Sequence, residues 1–210
     1  IIKGEIKSHL KNLSNWAKPE KVPTPAKLAP SKSRIVKEPL GCALIIAPWN
    51  YPVQLLLAPL VGAISAGCTA LLKPSPYVPT VSKVIEQMVA ETFTEDYVAV
   101  VQGNRDVNST LLEYRFDIIF FTGSPSLGRK VMSAAAKNLT PVVLELGGKS
   151  PCIVDSSANI ATVARRIAWG KCLNAGQTCI APDYLLVHSA VKDRLINALR
   201  EEFKNLLGEE

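Results

Sequence analysis

No C-x-x-C pair occurs among the five cysteines, Cys42, Cys68, Cys152, Cys172 and Cys179, and their number is odd. Both facts argue against a disulfide framework and against a zinc site, so no metal is expected and a reducing compartment, the cytoplasm, fits best. Histidine is nearly missing. His9 and His188 stand far in sequence from every cluster described below, neither is an obvious base for a reactive thiol, and a papain-like Cys–His arrangement is disfavoured. No signal peptide, internal repeat or low-complexity tract is visible. Residues 39–72 lack any Asp, Glu, Lys or Arg, but Pro48, Pro52 and Pro59, with Asn50 and Gln54, interrupt the run. A buried sheet and helix therefore fit it better than a membrane span. Acidic residues are scarce only in residues 1–40, where nine Lys or Arg face three Asp or Glu; the remainder balances at fifteen each. The net charge of +6 is thus a property of the N-terminal arm. Aromatic interleaving of the kind that stacks bases is missing, so a solvated helix and linker explain the charge and no nucleic-acid partner is expected.

What is present suits a soluble globular chain: 210 residues, 48% hydrophobic and 20% charged, enough to bury a core. It begins at Ile1 without Met and ends directly after a helical pattern, which reads as a piece of a longer protein. Ile2, Ile6, Leu10, Leu13 and Trp16 recur every three or four residues, an apolar helix stripe opposite Lys3, Lys7 and Lys11 that needs a covering partner. Pro19, Pro23, Pro25 and Pro30 make residues 19–33 an extended linker.

Beyond Arg34, short apolar runs alternate with helical ones. Strands are predicted at 42–47, 69–73, 97–102, 117–121 and 142–146, and helices at 53–65, 80–92, 105–112 and 126–138. This alternation predicts an α/β fold with a doubly wound, Rossmann-like parallel sheet. The paired glycines Gly147 and Gly148 permit a sharp turn, so a boundary is placed near residues 146–148. The expected organisation is an N-terminal helix and linker (1–33), a nucleotide-binding domain (34–146) and the start of a second α/β catalytic domain (147–210). The latter would hold strands at 151–154 and 184–187 and helices at 160–169 and 191–207. A nucleophile near that boundary would face a cleft between domains.

Five segments carry chemistry. Cys179, in the loop Asn174-Ala175-Gly176-Gln177-Thr178-Cys179-Ile180-Ala181-Pro182, is approachable by a substrate and reads as a nucleophile, although a lone cysteine is often only a small packing residue. Glu145 follows the apolar run 141–144, expected to be a buried strand, and a carboxylate at a strand's C-terminal end suits the water activation that releases a covalent intermediate. In Phe121-Thr122-Gly123-Ser124-Pro125-Ser126-Leu127-Gly128, Gly123 allows a tight turn, Ser124 or Ser126 can cap a helix, and the helix start attracts a pyrophosphate; a plain strand-to-helix turn is the alternative. Lys73 either reaches solvent by its stem or binds ribose hydroxyls or a phosphate, and Asn50 is either a turn residue or an amide donor to an oxyanion.

Pro48-Trp49-Asn50-Tyr51-Pro52, Lys73-Pro74-Ser75, Phe121-Thr122-Gly123-Ser124, Glu145-Leu146-Gly147-Gly148-Lys149-Ser150-Pro151 and Gly176-Gln177-Thr178-Cys179 occur in the order found in NAD(P)-dependent aldehyde dehydrogenases. Over residues 34–210 the chain resembles that family. Lys137-Asn138-Leu139-Thr140-Pro141, Ile167-Ala168-Trp169-Gly170-Lys171 and Ala181-Pro182-Asp183-Tyr184 are most similar to its class 3 branch, whose members oxidise aliphatic and aromatic aldehydes and are usually homodimers. The resemblance implies a thiohemiacetal and then a thioester on Cys179, an oxyanion held by Asn50 and the Cys179 N–H, and hydrolysis by water that Glu145 activates. It further implies a pyrophosphate at Gly123, Ser124, Pro125, Ser126, Leu127 and Gly128, the adenosine ribose at Lys73, and the nicotinamide beside Trp49 and Leu146. Pro76 and Tyr77 follow Lys-Pro-Ser where many members carry a glutamate that repels a 2′-phosphate, so NADP is expected to be accepted as well as NAD. The chain stops before the family's later cofactor motif, and alone it is expected to be weak or inactive. The competing readings are a relative that acylates coenzyme A and a non-catalytic nucleotide-binding or assembly module.

Overall fold

The computed structural model describes residues 1–208. The chain divides into two compact units, the first ending at Glu145 and the second beginning at Leu146.

The first unit opens with α1 (Ile2–Trp16), whose stripe faces α2 (Gln54–Ser65). His9 fixes that contact, its Nδ1 lying 2.8 Å from Ser65 Oγ and its ring edge-on to Trp16. No α1 residue is fully buried. The Pro-rich segment differs from the featureless linker expected. β1 (Glu20–Val22) and β2 (Ser33–Ile35) pair antiparallel, and the Ser33 N–H donates to Thr24 Oγ1 at 2.8 Å to close the loop. The prolines fall outside both strands, where no ladder N–H is needed, and three residues per strand are too few to show a period.

A five-stranded sheet follows from β3 (Cys42–Ile46), β4 (Thr69–Lys73), β5 (Val98–Val100), β6 (Ile118–Gly123) and β7 (Val142–Leu146), in the order β5-β4-β3-β6-β7. β3 pairs in parallel with β4 and β6, and β4 with β5. Helices α2, α3 (Pro79–Thr92), α4 (Arg105–Leu111) and α5 (Pro125–Ala136) form the crossovers. Side chains alternate across the sheet. Ile45, Ala70, Leu72 and Val98 pack with Leu56 and Leu60 of α2 and Ile85 and Val89 of α3. Ile46 and Phe121 face α4 and α5 instead. Each fully buried Leu contributes about 1.5–3 kcal/mol relative to exposure. This is the doubly wound α/β arrangement expected from the alternation.

The expected buried strand at 141–144 needs correction. β7 is a half-exposed edge strand, with Val143 and Glu145 outward and Val142 and Leu144 only partly covered. A short apolar run does not distinguish a central from an edge position.

In the second unit, β8 (Ser150–Val154), α6 (Ile160–Cys172) and β9 (Pro182–Val187) make one parallel βαβ crossover, and α7 (Lys192–Leu207) packs on α6. Val154, Ile160, Ala164, Ile167, Val191 and Leu195 form its core. Asn159 caps α6 by accepting from the Thr162 N–H. α6 runs past the expected end at Trp169 to Cys172, because one Gly170 is only a mild helix breaker.

Candidate active site

In the first unit, sheet topology gathers the expected cofactor residues. From β3 the chain winds outward to β4 and β5, then returns to β6 on the other side of β3, so strand order reverses between β3 and β6. Ligands of open α/β sheets bind beyond the carboxyl ends of strands at such a point. Lys73 and Phe121 both stand in register with Ile46, so the three side chains leave the same sheet face in a row. Trp49 and Asn50 follow the end of β3, Trp49 44% exposed and Asn50 half-buried.

Lys73 does not reach solvent. It is fully buried, and its Nζ donates to the carbonyls of Pro74 at 2.9 Å and Gly103 at 2.8 Å. Burial pulls its pKa below the ordinary lysine value. Two of the ammonium's three protons are directed to backbone, leaving one for a ligand hydroxyl.

Ser124 is the N-cap of α5, accepting from the Leu127 N–H at 3.4 Å, and Pro125 occupies the first helical position without an N–H to satisfy. The cap starts α5 one residue earlier than expected. Ser124, Pro125, Ser126 and Leu127 are exposed, Gly123 half-buried and Gly128 buried, the Gly128 N–H bonded to the Ser124 carbonyl at 2.9 Å. A ligand at this turn would therefore meet Ser124 and Ser126 rather than the N–H of Leu127 or Gly128.

Beside the turn lies a crevice of about 160 Å³, lined among others by Ile46, Arg105, Asn108, Phe121, Leu127 and Val131. Asn108 Oδ1 is buried there without a hydrogen-bond partner, as is Thr122 Oγ1 at the end of β6. Leaving such an oxygen unpaired costs about 1–3 kcal/mol, which a bound donor would recover. Asn108 did not stand out in the sequence, because an isolated Asn in a helix carries no pattern, and Thr122 was visible only as part of the Phe121–Gly128 run. Arg105 was visible only as a helix start; in the fold its Nη2 donates to Tyr77 Oη at 2.9 Å.

In the second unit, Cys179 is the exposed cysteine; Cys68 is buried and the other three are half-buried. After α6 the backbone takes three successive left-handed residues, Asn174 (φ 52°), Ala175 (φ 54°) and Gly176 (φ 75°). For L-residues this conformation costs roughly 1–2 kcal/mol each. It is held by the Gln177 N–H, which donates to the Asn174 carbonyl at 3.0 Å, and a tight turn follows in which the Ala181 N–H donates to the Thr178 carbonyl at 3.1 Å. Gly176 fits where a Cβ would stand 3.1 Å from the Lys171 carbonyl. Gly148 passes so close to the thiol loop that a Cβ would lie 3.0 Å from the Cys179 carbonyl oxygen. Lys149 Nζ sits 3.5 Å from Asp183 Oδ2, a contact between the glycine loop and the start of β9 that sequence reading missed. Glu145, exposed, is the last residue of the first unit, and Leu146, half-buried, is the first of the second. His188 caps its own turn by accepting from the Ala190 N–H, and His9 serves the α1–α2 contact.

Among the described residues no group of three or more His, Cys, Asp or Glu is placed to hold a metal, and no helix is long and apolar enough to cross a membrane.

The profile of the aldehyde dehydrogenase family matches residues 5–209. The chain is 52% identical over 204 residues to 4,4'-diaponeurosporen-aldehyde dehydrogenase of Staphylococcus aureus, covering 97% of this chain and 44% of that protein. It is 48% identical over 210 residues to aldehyde dehydrogenase family 3 member B1 of Homo sapiens, covering 100% and 45% respectively. The solved substrate-bound state of Staphylococcus aureus AldH superposes with a TM-score of 0.96 at 50% identity, over 100% of this chain and 46% of that one. The chain thus spans under half the length of these relatives. With nearly every residue inside the family profile and about half of them shared with such relatives, the chain belongs to the aldehyde dehydrogenase family.

Proposed function

We propose that the protein containing this chain oxidises aliphatic or aromatic aldehydes to carboxylic acids with NAD or NADP, through a covalent thioester on Cys179. The observation that carries this reading is the exposed Cys179 in a loop whose backbone is set by three left-handed residues. Backbone strain of this kind is concentrated where a reactive group must be held in one orientation. The residues of the first unit fit a dinucleotide: an apolar crevice with an orphaned amide oxygen, a capped helix start with two exposed serines, and a buried lysine with one proton to give.

Cys179 Sγ attacks the aldehyde carbon as a thiolate, forming a C–S bond while the carbonyl electron pair moves to oxygen. Asn50 Nδ2 and the Cys179 N–H donate to that oxyanion. A bound nicotinamide would supply the hydride acceptor; loss of hydride from the substrate carbon would regenerate the C=O and leave a thioester on Cys179. Glu145 then takes a proton from water, whose oxygen attacks the thioester carbon; the C–S bond breaks, the acid departs and the thiolate returns. Lys73 would hold the adenosine ribose, Ser124 and Ser126 the pyrophosphate, and Trp49 and Leu146 would flank the nicotinamide.

The test is rapid-mixing kinetics on the full-length protein. Cys179→Ala is expected to reduce aldehyde-dependent cofactor reduction to background. Glu145→Gln is expected to keep a burst of about one reduced cofactor per site while steady turnover falls about 10²–10⁴-fold, the range for a lost general base. Retained turnover in the first variant, or an unchanged steady rate in the second, overturns the assignment. Stimulation by coenzyme A would instead mark an acyl-transferring relative.

A further inference from the structure

The Tyr77–Arg105 hydrogen bond has no part in the chemistry above, and it lies in the first unit beside the carboxyl end of β4. We propose that Arg105, oriented by Tyr77, is the residue that pairs with the 2′-phosphate of NADP. The inference rests on the reading that a dinucleotide lies over the carboxyl ends of β3, β4 and β6, and it names the group that recognises one form of it.

Three observations fix the place. First, the segment after β5 folds onto the end of β4: the Val101 N–H donates to the Leu72 carbonyl at 2.9 Å, and Lys73 Nζ donates to the Gly103 carbonyl at 2.8 Å. Arg105, two residues beyond Gly103, is carried to the same sheet edge as Lys73, the residue assigned to the ribose. Second, the Arg105 guanidinium is fastened from the other side, because Tyr77, four residues past Lys73, accepts from its Nη2 at 2.9 Å. One end of the pair belongs to the loop after β4 and the other to the start of α4. Third, Arg105 lines the crevice that holds Asn108, Leu127 and the ends of β3 and β6, so the guanidinium and the crevice belong to one site.

The charges agree. Residues 74–82, which connect β4 to α3, contain no Asp or Glu, so no carboxylate there would claim the ribose hydroxyls or repel a phosphate. The nearest acid in sequence is Asp106, whose Oδ2 accepts from Asn104 Nδ2 at 3.0 Å. A guanidinium offers five donors in a planar fork that matches phosphate oxygens two at a time. Tyr77 Oη, accepting from Arg105, keeps its own hydrogen for a phosphate oxygen, so the pair presents two arms. Tyr77 is 63% exposed and Arg105 is exposed, which makes the interaction sensitive to salt. The guanidinium and the phenol carry the interaction, since α4, at seven residues, is too short to concentrate a helix dipole.

The test is calorimetric titration of the full-length protein with 5′-AMP and with 2′,5′-ADP, dinucleotide fragments that do not turn over. The wild-type protein should bind 2′,5′-ADP more tightly, with the advantage shrinking as salt rises. Arg105→Gln should weaken 2′,5′-ADP about tenfold, in line with loss of a charge-assisted pair, while leaving 5′-AMP within about twofold. Tyr77→Phe should produce the same selective loss at about threefold, since the guanidinium stays but loses its anchor. Circular dichroism melts confirm that the variants fold. A ratio of the two affinities unmoved by Arg105→Gln, or an equal loss of both ligands, overturns the proposal while leaving the dinucleotide site standing. Wild-type protein that binds neither fragment overturns both.

Discussion

The two units hold their functional residues in opposite ways. In the first, each polar group at the strand ends is tied by an ordinary device: Lys73 by two carbonyls, the start of α5 by the Ser124 cap and Pro125, Arg105 by Tyr77. Of the positive-φ residues in this unit, Gly41, Gly67, Gly103 and Leu139, it is Gly103 at φ 132° that touches one of these groups, through its carbonyl and Lys73. In the second, Cys179 is exposed and its side chain shows no comparable anchor; three left-handed residues and the near contact with Gly148 set its place instead. The difference matches the tasks proposed for the two units. A cofactor site must come back to the same shape after each release, and paired, satisfied groups do that. A nucleophile must stay open to a substrate, so its position is fixed through the backbone rather than by partners on the sulfur.

The contrast is broken most severely at Gly148. A Val there would push a side chain into the Cys179 carbonyl, which a Cβ alone would already approach to 3.0 Å, and the thiol loop would have to shift. A misplacement of about 1 Å at a reacting group costs roughly a hundredfold, so Gly148→Val is expected to lower kcat by about that factor. Nucleotide binding, measured by titration with 5′-AMP, should stay within about twofold, since the Lys73 and Ser124 contacts are untouched. Loss of both would mean that the thiol loop and the nucleotide residues are not separately held.

Ala175→Gly sharpens the comparison with a smaller effect of opposite sign on stability. It relieves about 1–2 kcal/mol of left-handed strain and adds about 0.5–1 kcal/mol of unfolded-chain entropy. The net expectation is a gain of about 0.5 kcal/mol in denaturant unfolding, together with slower alkylation of Cys179 or a lower kcat as the loop loses its fixed shape. Increased stability with unchanged thiol reactivity would show that the left-handed turn only terminates α6.

These contrasts also explain what the sequence made legible. β3, β4 and the helices around them were readable because period and length agree, and Thr69–Lys73 and Gln54–Ser65 lie within one residue of the expected spans. The exposed loop of Cys179 and the strand-to-helix turn at Gly123–Gly128 were readable because small residues mark places where backbone must come close. The β1–β2 pair was not, since three-residue strands flanked by proline carry no period. The edge position of β7 was hidden because burial depends on neighbours rather than on the run Val142-Val143-Leu144. Arg105 and Asn108 escaped for a related reason, as did the pairing of Tyr77. Arg105 meets Tyr77 across 28 residues, and a contact of that span leaves no trace in local spacing.

The smallest effect tests the ordinary side of the comparison. Ser124 Oγ accepts from the Leu127 N–H at 3.4 Å, a long bond, and lies 3.0 Å from Ser126 Oγ. Removing an N-cap hydroxyl costs about 0.5–2 kcal/mol, and the long geometry places Ser124→Ala near 0.5 kcal/mol. The melting temperature should fall by only about 1–2 °C in a unit of this size. Pro125 still fixes the first helical φ, and the Gly128 N–H still reaches the Ser124 carbonyl, so α5 keeps its start. With one of the two exposed hydroxyls gone, NAD affinity measured by fluorescence quenching should drop about threefold, as for one neutral hydrogen bond, while the rate of Cys179 alkylation stays constant. A tenfold loss of affinity would mean that Ser124 contacts the pyrophosphate as a principal ligand, and a change in thiol reactivity would show that the capped turn and the strained loop are energetically one system.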